Sequence, residues 1–465
     1  MVGMVGGWLR SVALDGRELF RRVPPIAILL LGAAYVLVYS FPGYMNFDSA
    51  EQLSQARQNV YDDWHPPLMA RYWRFTDRIW SGPLPLLVLQ TGLFLWGLYG
   101  LLKRRFQPRT AAVMTVAILW FPPIIAPFAP VWKDSQMVGF LLAGTMLMFG
   151  ESRAARIVGG VLLFFAAGVR DNACTALPPL LLVAVASWGF TRKIVVCLVA
   201  FAVWCVIAMS ARQANVKLAH GQAAAWVKAN VIHDIAGTIC FEEPMTDAEI
   251  LRELDGIPLR ETGPNLQKRF CEQYDPRWWF PLSYNEKGLF NTQPDEADRN
   301  ARKAAYFRLI KGHPKAFLRH RWAVSKELLG LAPLVPDEPN CQTFSGAPYQ
   351  AEQLELADRW SWAQVKIGAK YTKYTTTLLF RPWAYVVIGF VIMLYALWKR
   401  DGLVLALVAS GFLYELSFMV AAAGAPFRYS NWMILCVSTA TLIVFAERLR
   451  AGLQVRRKAK ALGAA

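Results

Sequence analysis

The sequence predicts an all-α polytopic membrane protein: a bundle of about ten transmembrane helices, with interfacial helices in the first outer loop and a mostly helical outer segment. Three observations predict it. Hydrophobic residues fill 55% of the 465 positions, more than one soluble core of that length can hide. They gather into runs near the roughly 20 residues that span a bilayer as a helix. The Lys and Arg residues of the short turns crowd onto one side of the implied topology.

In chain order, spans are predicted near 25–41, 83–102, 110–128, 135–150, 157–169, 173–190, 194–211, 379–398, 402–422 and 430–446, the fifth short enough to be tilted or partly inserted. The first run follows Arg10, Arg17, Arg21 and Arg22, and no small-residue cleavage site comes after it, so it reads as a retained signal-anchor. Lys103, Arg104, Arg105, Arg109, Arg153, Arg156, Arg192, Lys193, Lys399 and Arg400 fill turns on one side, and the tail adds Arg448, Arg450, Arg456, Arg457, Lys458 and Lys460. Both termini are therefore expected in the cytoplasm, with the chain in a plasma membrane such as the bacterial inner membrane. The net charge of +17 is accounted for by topology and does not imply nucleic acid as a partner.

The spans divide the chain into an N-terminal transmembrane module with outer loops (1–211), an outer segment (212–377), and C-terminal transmembrane helices with a basic tail (378–465). The outer segment is long enough to fold as a small domain. Helix formers dominate 297–327, and turn signals occur at "GIP", "TGPN", "NEKG", "PDEPN" and "SGAP". Cys197, Cys205 and Cys436 sit inside spans, whereas Cys240, Cys271 and Cys341 lie in the outer segment, where an oxidising compartment permits one bridge with three possible pairings. No cysteine spacing resembles a zinc site.

The first outer loop, "YMNFDSAEQLSQARQNVYDDWHPPLMARYW", is longer, more acidic and more aromatic than a connector needs to be. Asp48, Glu51 or Gln52, and Gln55 share one helical face. After a break at "YDDWHPP", Leu68, Tyr72, Phe75 and Ile79 line one face with Met69, Trp73 and Trp80 beside it, opposite Arg71, Arg74 and Arg78, as in an interfacial helix. Pro66 and Pro67 are expected to hold His65 in one orientation.

Several residues at the outer ends of spans carry chemistry or a plainer role. Asp48 is either the N-cap of a helix over 49–57 or a working carboxylate. Asp134 in "VWKDSQ" reads as a cap for the fourth span, with Lys133 snorkelling to headgroups, or as a second acid. Arg170 and Asp171 in "GVRDNA" form a local ion pair or a ligand site. Arg428 in "GAPFRYSN" stands where the charge rule disfavours it, so it meets an anionic partner such as a phosphate, or bridges to one of these acids. His65 suits a base, a donor to phosphate or a metal ligand. His313 and His320 belong to a basic amphipathic stretch expected at the membrane interface.

Together these loops resemble the GT-C superfamily of membrane glycosyltransferases, and are similar to its protein O-mannosyltransferase and aminoarabinose transferase families. The matching positions are Asp48, His65-Pro66-Pro67, Asp134, the pair Arg428-Tyr429, and the stretch "RDNACTALPPLLL". The resemblance implies a GT-C-like bundle that moves a sugar from a polyprenyl-phosphate donor to a lipid, glycan or protein acceptor, with inversion. It casts Asp48 and Asp134 as catalytic acids and His65, Lys133, Arg170, Arg428 and Tyr429 as donor-binding residues. Ser49 stands where many relatives carry a second acid, so the choice of base stays open, as does a divalent cation as cofactor. The chemistry agrees: a hydroxyl acceptor needs a carboxylate within reach, and a departing phosphate needs cations. The alternatives are a transporter or flippase of an anionic lipid-linked sugar, for which mid-span charges are expected, and a protein whose outer segment binds a partner.

Overall fold

The computed structural model describes residues 23–220, 224–333 and 361–462; Arg10, Arg17, Arg21, Arg22, Cys341 and the side chains of the tail from Arg456 onward lie outside them. The first module comprises α1 (Pro25–Ser40), α2 (Phe47–Gln58), α3 (Pro67–Ile79), α4 (Leu84–Lys103), α5 (Pro108–Leu119), α6 (Pro122–Phe128), α7 (Lys133–Met148), α8 (Arg153–Val169), α9 (Ala173–Ala186) and α10 (Lys193–Leu218). A π-helical turn (Val227–Val231) opens the outer segment. It is followed by α11 (Ile232–Phe241), α12 (Asp247–Glu253), α13 (Leu266–Gln273), α14 (Pro281–Tyr284), α15 (Glu296–Gly312), α16 (Pro314–Leu328) and α17 (Trp362–Tyr374). The chain ends with α18 (Pro382–Lys399), α19 (Gly402–Ala421), a 3-10 turn (Phe427–Ser430) and α20 (Asn431–Leu462).

This is a helical membrane protein. Among the described residues five helices are long and apolar enough to cross a bilayer, or six if α5 and α6 count as one broken span. The predicted third span is therefore corrected: α5 and α6 meet at 70°. Pro122 and Pro123 explain the break, because neither offers an amide hydrogen and both crowd the preceding turn. The predicted spans at α1, α7, α8 and α9 are helices of 16, 16, 17 and 14 residues, short of that length test. Helix α10 continues to Leu218, seven residues beyond the predicted boundary.

Small residues let the central helices touch. A Cβ on Gly97 would lie 2.4 Å from the backbone nitrogen of Ala143, so α4 and α7 meet backbone to backbone. Such close approach replaces the hydrophobic drive that helices lack in lipid. Helix α19 is tied to both neighbours through Ser410, whose Oγ donates to the Ala176 carbonyl (2.7 Å) and accepts from Trp432 Nε1 (2.9 Å).

The basic turns gather at one end of the bundle, where Arg105 holds Asp401 at 2.5 and 2.6 Å and Glu447 at 3.3 Å. The outer segment caps the opposite end. Its own core includes Ile235, Phe270, Leu282, Phe290 and Leu309, and Cys240 and Cys271 are joined in a disulfide. It grips the chain after α19: Trp279 N donates to the Ala423 carbonyl (3.1 Å), Ala425 N to the Arg277 carbonyl (3.1 Å), and Arg321 to the Ala422 carbonyl (2.7 Å).

Two predicted interfacial elements differ. The stretch carrying His313 and His320 packs one face into the outer segment, with His320 Nε2 2.8 Å from Asp234 and Nδ1 2.8 Å from the Tyr274 hydroxyl, while Leu318 and Trp322 stay exposed on the other. Gly237 makes this possible, since a Cβ there would overlap the His320 ring. In α3, Leu68, Met69 and Trp73 are buried against protein, while Phe75 and Ile79 stay exposed, so the predicted apolar face is split.

Candidate functional site

At the capped end of the bundle, four ionised side chains from four elements form one chain of contacts. Asp48 Oδ2 accepts from Arg428 at 2.6 Å, Arg428 Nε lies 3.9 Å from Asp134, and Asp134 is 3.2 Å from Arg170 Nε. Beside it, Lys133 Nζ donates to His65 Nδ1 at 2.8 Å, and His65 Nε2 faces Glu51 Oε2 at 3.3 Å. Lys133, Asp134, Arg170 and His65 are all buried.

Local sequence explains how each group is held. Helix α2 is capped by Asn46, whose side chain accepts from Ser49 N, which leaves Asp48 inside the first turn and free of capping duty. This corrects the cap predicted at Asp48. Ser49 Oγ donates to the Val131 carbonyl (2.8 Å) and Val131 N to the Tyr44 carbonyl (2.9 Å), so α2 is locked to the loop before α7. That loop hangs on an amide network. Gln90 Nε2 donates to the Phe128 carbonyl (2.8 Å), and Gln136 donates to Gln90 (2.7 Å) and to the Leu86 carbonyl (3.1 Å). The network satisfies the Phe128 carbonyl, left open where α6 ends.

Asp134 is likewise no cap: the N-cap of α7 is Trp132, which makes no side-chain capping bond. Nor does Lys133 snorkel to headgroups; it is buried against His65. The partner of Arg170 is Asp134, not its neighbour Asp171. At His65, Pro67 occupies the first turn of α3 and the next amide, Leu68 N, donates to Asn215 (3.1 Å), which fixes the turn against α10.

Aromatic rings wall the cluster. Arg170 lies over Tyr429 (4.7 Å) and Phe418 (5.1 Å), and Arg428 over Trp132 (4.7 Å). Tyr429 and Phe418 stack on each other at 4.3 Å. The Nε atoms of both arginines, Trp132 Nε1 and His65 Nε2 are buried yet lack a well-aligned hydrogen bond. Buried donors without acceptors are costly unless something meets them.

Two pKa shifts follow from the geometry. Burial raises the Asp48 carboxyl, but the charge and hydrogen bond of Arg428 outweigh it, helped by Lys133, and hold the group well below the usual carboxylate range. Burial and then the Lys133 charge lower His65, so its imidazole is neutral. Because an ammonium can only donate, His65 Nδ1 accepts and its proton sits on Nε2.

The structure thus brings together Asp48, His65, Lys133, Asp134, Arg170, Arg428 and Tyr429, from segments as far apart as α2 and the 3-10 turn before α20. Glu51, Trp132 and Phe418 join them without having been singled out. Glu51 was legible as a face-mate of Asp48; nothing marks the two rings in the sequence. Among the described residues, the His, Cys, Asp and Glu side chains close enough to suggest a metal are His233, Asp234 and His320, in the outer segment. There Asp234 is shared by His320 and the Arg321 guanidinium, the pattern of a buried charge network. An apolar groove of about 590 Å³ between α9, α10 and α19, lined by Leu182, Phe201, Trp204 and Leu405, reaches Gly402 at the basic end and shares no residue with the charged cluster.

Fold and site define a helical membrane protein with an arginine-rich, aromatic-walled cluster at one end of its bundle. Comparison with family models, curated proteins and solved structures gives no match.

Proposed function

We infer that the chain is a GT-C-type glycosyltransferase. It moves a sugar from a polyprenyl-phosphate donor to a lipid, glycan or protein acceptor at the outer membrane surface. The observation that carries this reading is the pair Arg170 and Arg428, stacked on aromatic rings and sharing Asp134, each with a buried Nε not fully engaged. Guanidinium groups so fixed suit a phosphate, whose charge grows as it leaves. The donor's tail keeps the reaction at the bilayer surface. Asp48 and Asp134 are the acids the family resemblance points to. Each is engaged by an arginine.

The basic turns at one end and the Cys240–Cys271 disulfide at the other support cytoplasmic termini and an outer segment in an oxidising compartment, such as the periplasmic side of a bacterial inner membrane. The test is transfer of radiolabel from polyprenyl-phosphate mannose, glucose and arabinose to a cell-envelope extract by the protein in nanodiscs. Transfer by wild type is expected, and Arg428→Lys should lose both donor affinity and rate, because it keeps charge but not the planar fork.

One observation favours the transporter reading. Glu415 is buried inside apolar α19, hydrogen-bonded to Ser430 at 2.8 Å, and ionisable groups within spans mark transport pathways. Translocation of a fluorescent polyprenyl phosphate in liposomes, with no sugar transferred, would establish that reading in place of the enzyme.

A further inference from the structure

We propose that Glu51 is the catalytic base, the group that takes the acceptor's proton, with His65 and Lys133 as the positioning residues that aim it. This rests on the glycosyl-transfer reading above and assigns its proton acceptor to a residue other than the two aspartates.

The argument begins with helix geometry. Glu51 lies three residues after Asp48 on α2, so both carboxylates project from one face. They differ in what they meet. Asp48 bonds to Arg428, and Asp134 lies between Arg170 and Arg428 with no exposed surface. A carboxylate held by a guanidinium is a weak proton acceptor. Among the described residues Glu51 has no lysine or arginine within ion-pair distance; its one such neighbour is the imidazole of His65. Its side chain is 31% exposed, against 19% for Asp48 and none for Asp134, so it is also the acid that an incoming hydroxyl meets first.

The order Lys133, His65, Glu51 then has a direction. Lys133 donates to His65 Nδ1, which places the imidazole proton on Nε2, the nitrogen that lies 3.3 Å from Glu51 Oε2. Both facing atoms are buried, and neither makes a well-aligned hydrogen bond. Catalytic contacts are often this loose before substrate tightens them. This is the base-and-orienter arrangement that activates a hydroxyl nucleophile elsewhere, here with a carboxylate as the base.

The step balances. The acceptor O–H bond breaks and its proton goes to a Glu51 carboxylate oxygen, while the acceptor oxygen bonds to the anomeric carbon. The bond from that carbon to the phosphate oxygen breaks, and the electron pair leaves with the polyprenyl phosphate, whose charge Arg170 and Arg428 meet. Glu51, part-exposed, then returns its proton to water.

The experiment pairs two measurements on nanodisc-embedded protein: sugar transfer from the three labelled donors, and binding of undecaprenyl phosphate read by tryptophan fluorescence. Glu51→Gln should reduce transfer 10²- to 10⁴-fold, the usual cost of a lost general base, while undecaprenyl phosphate binds within about twofold of wild type. Glu51→Asp, which keeps the carboxylate on a shorter arm, should recover part of the loss. If wild type transfers sugar and a folded Glu51→Gln protein transfers within threefold of it, Glu51 is not the base although the glycosyltransferase reading stands. An equal loss of undecaprenyl phosphate binding and transfer in Glu51→Gln would also overturn it, since that is a donor-site defect. Wild type that binds undecaprenyl phosphate but transfers from none of the donors defeats the glycosyl-transfer reading, and this inference with it.

Discussion

Replacing Arg170 with Met tests whether the charge chain holds the bundle's end together. Asp134 has no exposed surface, and its cationic neighbours are Arg170 at 3.2 Å and Arg428 at 3.9 Å. Removing Arg170 leaves a buried carboxylate with one distant partner, a loss of about 3–5 kcal/mol in comparable sites. The stacked contacts with Tyr429 and Phe418 add roughly 0.5–2 kcal/mol when desolvated. Removing both charges together should cost far less, because the desolvation penalty disappears with the attraction. Arg170→Met is therefore expected to lower Tm by roughly 3–5 °C on the unfolding entropies of soluble proteins, Asp134→Leu by a similar amount, and the double variant by much less. Scanning fluorimetry of the three variants in one detergent measures this. A double variant whose loss equals the sum of the single losses would show that the two charges are independent.

Asp48→Asn should leave α2 intact, because Asn46 is its cap, and should free Arg428 from a competing carboxylate; undecaprenyl phosphate is expected to bind about 5–30-fold tighter, a coupling of ~1–2 kcal/mol, and unchanged or weaker binding refutes it. His233 is fully buried, and burial, then the nearby His320, hold its pKa well below that of an unfolded histidine. The unfolded chain therefore binds the proton first, so this contribution is intact above about pH 6.5 and fades as pH falls, by about 1.4 kcal/mol per pH unit while the folded ring stays neutral. Tm measured from pH 7.5 to 5 should fall less steeply for His233→Gln than for wild type. The Cys240–Cys271 bridge spans 31 residues, for which chain entropy assigns about 3–4 kcal/mol; Cys240→Ser with Cys271→Ser should lower Tm and remove its sensitivity to reductant.

The helical class and the membrane location were legible because apolar runs and basic turns report on solvent, a long-range property written into composition. Local capping was less legible. Asn46 and Asp48 are both good caps, and the choice between them depends on Ser49 reaching Val131, a contact 82 residues away. Pro122 and Pro123 did mark a break within the third span, but hydropathy alone ran across it. Charge at a span end usually snorkels, which is what the sequence around Lys133 suggests; a neutral histidine acceptor from another loop buries it instead. His320 shows a limit of another kind. A basic amphipathic pattern looks the same whether its apolar face meets lipid or protein, and only the notch at Gly237 decides the matter. The charged residues at the capped end of the bundle were legible one by one. Their pairing was not, since Asp134 could have met Lys133, Arg170 or Arg428 with equal chemical sense.

Asp48 and its arginine are 380 residues apart in the chain, and that distance has a consequence for biosynthesis. A ribosome feeding the membrane delivers Asp48, then Asp134 with Arg170, and only much later the turn carrying Arg428. Until then, among the four groups of that chain of contacts, two carboxylates stand against one guanidinium. The four-membered chain of contacts therefore closes only once the turn before α20 has been made. A product cut short before Arg428 keeps the preceding apolar helices but carries Asp48 without its arginine. That mark distinguishes a truncated chain from a whole one before any activity is asked of either.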